Sequence, residues 1–69
     1  MLDPMTVAVA AKIRKTREQK NYTQDYLAAK LKISQNAYSK TELGYTQITI
    51  SRLTAIAEIL GVELIDLLT

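Results

Sequence analysis

The chain has 69 residues, no cysteine, no histidine and a formal net charge of +2. These absences exclude disulfides, zinc-finger ligand sets and histidine-based catalysis, and no apolar run approaches the roughly 20 residues that span a bilayer. Two glycines and one proline leave few helix breakers. We therefore expect one soluble, cytoplasmic, mostly helical domain over residues 1–69, without a membrane segment, a secretory signal, a metal or a cofactor.

Charge is distributed unevenly along the chain. Residues 1–41 hold eight of the nine Lys and Arg side chains against three carboxylates, a balance of +5, whereas residues 42–69 hold Arg52 against four carboxylates, a balance of −3. Such asymmetry orients a polyanion toward one end of a molecule. The alternative is that these charges only solvate helix faces.

The first predicted helix begins at Asp3-Pro4, an N-cap followed by proline, or at Thr6, and runs to about Lys20. Val9, Ile13 and Arg17 recur at intervals of four and form its inward stripe.

Two short helices follow, over about 24–31 and about 35–42. Thr23 and Ser34 are good N-caps, and Lys32-Ile33 leaves room only for a tight bend between the helices. The apolar positions at helical spacing are Leu27, Ala28 and Leu31 in one helix and Ala37, Tyr38 and Thr41 in the other. This layout is that of a helix-turn-helix, in which the second helix is presented to the major groove of DNA.

The remaining sequence predicts two further helices. Gly44 is placed as a C-terminal stop for the third helix, residues 45–48 form a loop, and Thr49 caps a fourth helix that ends at Gly61. A last short helix covers 63–68. The apolar stripe of the fourth helix consists of Ile50, Leu53, Ile56, Ala57 and Leu60. The predicted fold class is all-α, a compact five-helix bundle with no sheet.

The third helix presents a polar face to its surroundings. At 100° per residue, Gln35, Asn36, Ser39 and Lys40 lie within an arc of roughly 140°. Amide side chains can read adenine in a bidentate manner, and lysine can donate to guanine. A polar helix face is often only hydrated, but the preceding cap-turn-cap unit favours base contact by these four residues.

Phosphate contacts are predicted at two places. Gln24 lies in the first turn of the second helix, where free backbone N–H groups favour an anion. The loop residues Tyr45, Thr46 and Gln47 offer a phenol, a hydroxyl and an amide but no cation.

Arg17 shares the inward stripe of the first helix, and a buried arginine needs a partner of matched geometry. We expect Glu42, at the end of the third helix, to be that partner in a structural ion pair. The alternative places the guanidinium at the rim of the bundle, in water.

The chain from about Val9 to Leu68 resembles the lambda-repressor-like, Cro-type helix-turn-helix family, also called the XRE family. The matching residues are Ile13-Arg14, Arg17, Tyr22-Thr23-Gln24, Leu27-Ala28, Leu31, Ile33-Ser34, Ser39-Lys40, Glu42, Gly44, Leu53, Ile56-Ala57 and Leu60-Gly61-Val62. The resemblance implies a five-helix domain that binds operator DNA, commonly as a dimer. It implies that Gln24 grips a phosphate, that Gln35, Asn36 and Lys40 face bases with Ser39 nearby, and that Arg17 pairs with Glu42.

The sequence departs from the family pattern at four points. Lys32 replaces the usual glycine of the turn, Thr16 and Thr41 replace large aliphatic residues, and the loop after Gly44 lacks its usual cation. A left-handed conformation at Lys32 costs about 1 kcal/mol.

The function predicted from these features is sequence-specific transcription regulation by a repressor of bacterial or phage type. Double-stranded DNA is the expected partner, with no small-molecule ligand, and Ile65 and Leu68 on the last helix form a weak homodimer contact. The alternatives are an antitoxin or restriction-modification controller, or a protein-interaction module that no longer reads DNA. An enzyme is not expected, because no catalytic set of residues can be assembled.

Overall fold

The computed structural model describes residues 2–69, and this part of the chain contains five α-helices and no strand. The helices are α1 (Pro4–Gln19), α2 (Gln24–Leu31), α3 (Gln35–Glu42), α4 (Ile50–Leu60) and α5 (Leu64–Leu68). The predicted all-α, five-helix fold is confirmed, and the bounds predicted for α2 and α3 are the observed ones.

The starts of the first four helices follow from their capping residues. Asp3, Thr23, Ser34 and Thr49 have extended backbones, and each side chain accepts a hydrogen bond from the backbone N–H three residues later. These caps satisfy N–H groups that have no partner within the helix. The helix starts in this fold are therefore determined locally.

The turn between α2 and α3 depends on Lys32, which adopts the left-handed conformation with φ 60° and ψ 42°. The backbone N–H of Ile33 donates to the Ala28 carbonyl at 3.0 Å, which closes the end of α2. The chain reverses within three residues, so α3 packs directly against α2. The expectation that Lys32 occupies a position suited to glycine is confirmed.

One hydrophobic core joins all five helices. Its buried members are Ile13, Leu27, Ala28, Tyr38, Leu53, Ile56, Ala57, Leu60 and Leu67. Thr16 and Thr41 are also buried, and each donates its hydroxyl to a backbone carbonyl one turn earlier, at 2.8 Å and 3.3 Å. Their polar atoms are thus satisfied although they replace aliphatic side chains.

Two residues assigned to apolar stripes are exposed, which corrects the sequence prediction. Ala37 lies on the surface, because the buried stripe of α3 is formed by Tyr38, Thr41 and Glu42. Ile50 is 68% exposed, because it occupies the first position of α4, beyond the edge of the core. Helical spacing correctly identified the buried residues next to both positions. It did not show how far the buried face of each helix extends around its circumference.

The loop after α3 is held close to the beginning of α1. Gly44 is buried with φ 77°, and a Cβ atom at this position would lie 3.0 Å from Val7 Cγ2 and 3.1 Å from Val7 Cα. Only glycine fits both this backbone conformation and this contact. The N-terminal turns of α1 therefore support the loop that carries Tyr45, Thr46 and Gln47.

Candidate nucleic-acid interface

The exposed side of α3 carries the polar residues predicted to contact bases. Gln35, Asn36 and Lys40 are exposed and Ser39 is half-buried. None of the four side chains forms a hydrogen bond with another part of residues 2–69, so their donors and acceptors face solvent. This face of α3 is chemically free to contact a ligand.

A cleft of about 470 Å³ lies between this face of α3, the following loop and the first turn of α4. It brings together Asn36 and Lys40, predicted to contact bases, with Thr46 and Gln47, predicted to contact phosphates. Gln35, Ser39, Gln24 and Tyr45 do not line it. The full lining is Ile33, Ser34, Asn36, Ala37, Lys40, Thr41, Thr46, Gln47, Thr49 and Arg52.

The electrostatic character of the cleft is simple. Among the residues that the structure describes, the charged ones lining the cleft are Lys40 and Arg52, and no carboxylate contributes to it. Neither cation is in an ion pair within the described chain, whereas Arg14 pairs with Glu18 and Arg17 pairs with Glu42. A concave surface with unpaired cations and neutral hydrogen-bonding groups suits a polyanion.

Behind α3, a buried polar junction connects three helices. Arg17 Nε donates to Glu42 Oε2 at 2.7 Å and Arg17 Nη2 donates to Glu42 Oε1 at 3.1 Å, which confirms the predicted pair in bidentate geometry. Arg17 Nη1 donates to the Tyr22 carbonyl at 2.8 Å, and Gln24 Nε2 donates to Glu42 Oε1 at 3.0 Å. The junction holds α3 in position relative to α1 and α2.

The junction keeps Glu42 ionised. Burial opposes the charged form, but hydrogen bonds from Arg17, and from Gln24 after it, outweigh burial and lower the pKa of Glu42 below its usual 4.5. The Tyr38 hydroxyl lies near this carboxylate but is not aligned for a hydrogen bond within residues 2–69, and burial raises the pKa of Tyr38. Glu42 is therefore a charged anchor inside the bundle.

Gln24 has a second role that the sequence did not predict. It is half-buried, and one N–H of its amide is used by Glu42. The other amide N–H and the amide oxygen have no partner within the described residues. Gln24 thus combines a structural contact with a free donor beside the start of α2.

Sequence reasoning missed Arg52 as a lining residue of the cleft. The signal that identifies it in retrospect is its isolation, because it is the only Lys or Arg in residues 42–69 and lies in the first turn of a helix. No sequence pattern indicates the contact between Gln24 and Glu42, which joins residues 18 positions apart.

The predicted dimer residues Ile65 and Leu68 are 61% and 47% exposed on α5. In residues 2–69, no group of three or more His, Cys, Asp or Glu side chains is arranged to hold a metal ion. No helix in this range has both the length and the apolar character needed to cross a lipid bilayer.

Two capped helices, a tight turn and a polar face on the second helix define a helix-turn-helix protein. A family model described as helix-turn-helix matches residues 13–67, and the chain belongs to this XRE-type helix-turn-helix family. Membership of this family supports DNA binding and a role in transcription regulation.

Solved structures of a gene regulator and of a hypothetical transcription factor have the same fold. The clp gene regulator ClgR from Corynebacterium glutamicum is 26% identical with a TM-score of 0.91, over 96% of this chain and 86% of that chain. The hypothetical transcription factor NHTF from Neisseria is 25% identical with a TM-score of 0.86, over 100% of this chain and 83% of that one.

A third structure shares the fold alone. The restriction-modification controller protein C.AhdI from Aeromonas hydrophila is 21% identical with a TM-score of 0.83, over 90% of this chain and 94% of that one. Comparison of the sequence with curated proteins gives no significant match.

Proposed function

We propose that this protein is a sequence-specific, cytoplasmic transcription regulator that acts as a repressor by inserting α3 into the major groove of operator DNA. The observation that carries the proposal is the shared cleft. Asn36 and Lys40 on α3 and Thr46 and Gln47 on the loop line one concave surface, to which no carboxylate of residues 2–69 contributes. Such a surface can contact base edges and the adjoining phosphates at the same time.

The side chains on α3 supply the chemistry of base recognition. Gln35 and Asn36 can each donate to and accept from adenine, Lys40 can donate to guanine, and Ser39 can bond to several bases. Gln35, Asn36 and Lys40 are exposed, and their side chains have no hydrogen-bond partner within residues 2–69. Little rearrangement of the protein is therefore needed when these groups meet base edges.

Phosphate contacts fix the position of α3 on the duplex. Gln24 offers its free amide N–H beside the N-terminus of α2, and Tyr45, Thr46 and Gln47 are exposed on the loop. Because Glu42 at the end of α3 orients the Gln24 amide, the first of these contacts is tied to the position of α3. The loop follows α3 directly and is supported from α1 by Val7, which packs against Gly44.

Titration against random-sequence duplex at several salt concentrations tests whether the protein binds DNA. Binding should weaken steeply as salt rises, because Lys and Arg side chains displace condensed counterions. The absence of binding at low salt, or binding indifferent to salt, would contradict the proposal and would favour a protein-interaction module.

We also propose that α5 forms a two-fold homodimer contact on DNA. Ile65 and Leu68 are exposed, and Leu68 shares an apolar groove with Met5 and Ile50, which are 70% and 68% exposed. The corrected position of Ile50 thus enlarges the apolar surface beside α5. A small self-complementary contact of this kind gives a weak dimer that DNA stabilises by placing two subunits on adjacent half-sites.

The double variant Ile65→Asp/Leu68→Asp tests the dimer contact. It should melt as the wild type does but lose cooperative binding to two half-sites about one DNA turn, roughly 34 Å, apart. Equal affinity and stoichiometry on the same operator would place dimerisation elsewhere or exclude it.

A further inference from the structure

We propose that Arg52, in the first turn of α4, is a phosphate-contacting residue that binds the DNA backbone along the α4 side of the cleft. This inference rests on the proposed function and assigns a binding role to a residue outside the helix-turn-helix unit. Arg52 would also supply the positive charge that the preceding loop lacks, because the loop between α3 and α4 contains no Lys or Arg.

The guanidinium of Arg52 is available to a ligand. The protein has three arginines, and two are engaged: Arg14 Nε lies 3.3 Å from Glu18, and Arg17 donates three hydrogen bonds inside the bundle. The Arg52 side chain forms no hydrogen bond or ion pair within residues 2–69. Its five N–H donors therefore lack a protein acceptor in the described chain.

The position of the side chain also favours this contact. Arg52 lines the cleft opened by α3 and also a neighbouring groove, so together with Thr49 it lies on the boundary between the two depressions. The other residues that line the neighbouring groove are Lys30, Leu31, Ser51, Ala55, Glu58 and Ile59. Arg52 is half-buried, so packing restricts part of the side chain while the rest is accessible. A restrained cation loses less conformational entropy on binding than a freely mobile one.

The charge around the cleft favours the same contact. Lys40 comes from α3 and Arg52 from α4, and among residues 2–69 no carboxylate lines the cleft between them. Glu58 lines the neighbouring groove on the other side of Arg52 and forms no ion pair with it. The other charged residues of 42–69 are all acidic, so Arg52 brings the only positive charge of this half of the chain to the cleft. A helix in the major groove lies between two rows of phosphates, which are the anions that reach such a rim. A guanidinium can engage two phosphate oxygens in parallel.

The test compares Arg52→Gln with Lys15→Gln in DNA titrations over a range of salt concentrations. Lys15 is a matched control, because it is exposed, its loss changes net charge equally, and it lines a separate groove between α1 and the end of α5. Arg52→Gln should weaken binding to all sequences alike and reduce the slope of log K against log salt by about 0.9. The affinity ratio between two salt concentrations fourfold apart then shrinks by about 3.5-fold. Lys15→Gln should keep the wild-type slope.

A third variant keeps the inference testable if Arg52→Gln does not fold. Arg52→Lys retains the charge and should keep the wild-type slope while binding more weakly, since it loses the bidentate geometry. Thermal melts establish that each variant is folded, and if Arg52→Gln is unfolded, an Arg52→Lys affinity equal to wild type overturns the inference.

Failure of the inference and failure of the proposed function give different results. A steep wild-type slope that Arg52→Gln leaves unchanged overturns the role of Arg52 alone. A wild type with no salt-dependent DNA binding overturns both.

Discussion

The two sides of α3 contain polar groups in opposite situations. On the inner side, Glu42 is 5% exposed and accepts hydrogen bonds from Arg17 and Gln24. On the outer side, Asn36 and Lys40 are exposed and have no hydrogen-bond partner within residues 2–69. The eight-residue helix α3 thus carries a buried, hydrogen-bonded carboxylate at Glu42 and an exposed ammonium group without a partner in residues 2–69 at Lys40. Less than one helical turn separates these two residues along the helix axis.

The presence or absence of a hydrogen-bond partner within the protein distinguishes polar residues with a structural role from those that are free to bind a ligand. A buried carboxylate is tolerated only when its acceptors are filled, so the partners of Glu42 are part of the fold. Exposed donors without partners cost nothing in water and remain free for a ligand. Substitutions on the inner side should therefore change stability, and those on the outer side should change binding.

The largest effect is expected from breaking the inner junction. Arg17→Ala and Glu42→Ala should each lower the free energy of unfolding by roughly 3–5 kcal/mol, because the remaining charge is left buried without its partner. The double variant should cost less than the sum of the two. Urea unfolding of the four proteins of this cycle measures the coupling energy.

An exposed ion pair on α1, the helix that carries Arg17, provides the control for this cycle. Arg14 and Glu18 have side chains 58% and 55% exposed, and their removal should cost no more than about 0.5 kcal/mol. Strict additivity for Arg17 and Glu42 would show that their side chains do not interact in solution.

A smaller effect is expected from acid. The lowered pKa of Glu42 means that its ionised form stabilises the folded state above the usual value of 4.5, and this stabilisation is lost as pH falls through the folded-state pKa. Urea midpoints measured from about pH 6 to about pH 3 should fall for the wild type. The Glu42→Gln variant has no titratable group at this position. Its urea midpoint should therefore be lower than that of the wild type at about pH 6, and should fall less as the pH decreases. Parallel curves for the two proteins would show that Glu42 does not titrate with a lowered pKa.

The smallest effect concerns the turn that joins the two helices. Lys32→Gly should stabilise the protein by at most about 1 kcal/mol, because it removes the strain of a left-handed lysine at the expense of a more flexible unfolded chain. Gly61→Ala is the converse control, since Gly61 has φ 71° with nothing within 4 Å of an added Cβ, and it should destabilise by a similar amount. Destabilisation by Lys32→Gly would mean that the lysine side chain stabilises the turn.

The parts of the fold set by local chemistry could be predicted from the sequence. Side-chain caps at Thr23, Ser34 and Thr49 fix helix starts through hydrogen bonds three residues apart, so the observed elements match the predicted ones. The exposure of Ala37 and Ile50 could not be predicted in this way, because it depends on how far neighbouring helices extend over each surface.

The candidate site was predictable to the same extent. The polar face of α3 follows from helical spacing, and the pair Arg17–Glu42 follows from the need of a buried arginine for a partner. The meeting of Arg52 and Lys40 at one cleft and the contact of Gln24 with Glu42 depend on the packing of separate helices. No local rule of sequence specifies which helices pack together in this way.

Selection of bound duplexes from a random pool determines whether the outer side of α3 reads DNA sequence. The wild type should enrich a near-palindromic motif. Lys40→Ala and Gln35→Ala should each relax preference at particular positions of that motif by about 1–3 kcal/mol, while Gln24→Ala should weaken all sequences equally. A motif that stays the same, position by position, in the Lys40 and Gln35 variants would contradict the claim that α3 reads the operator.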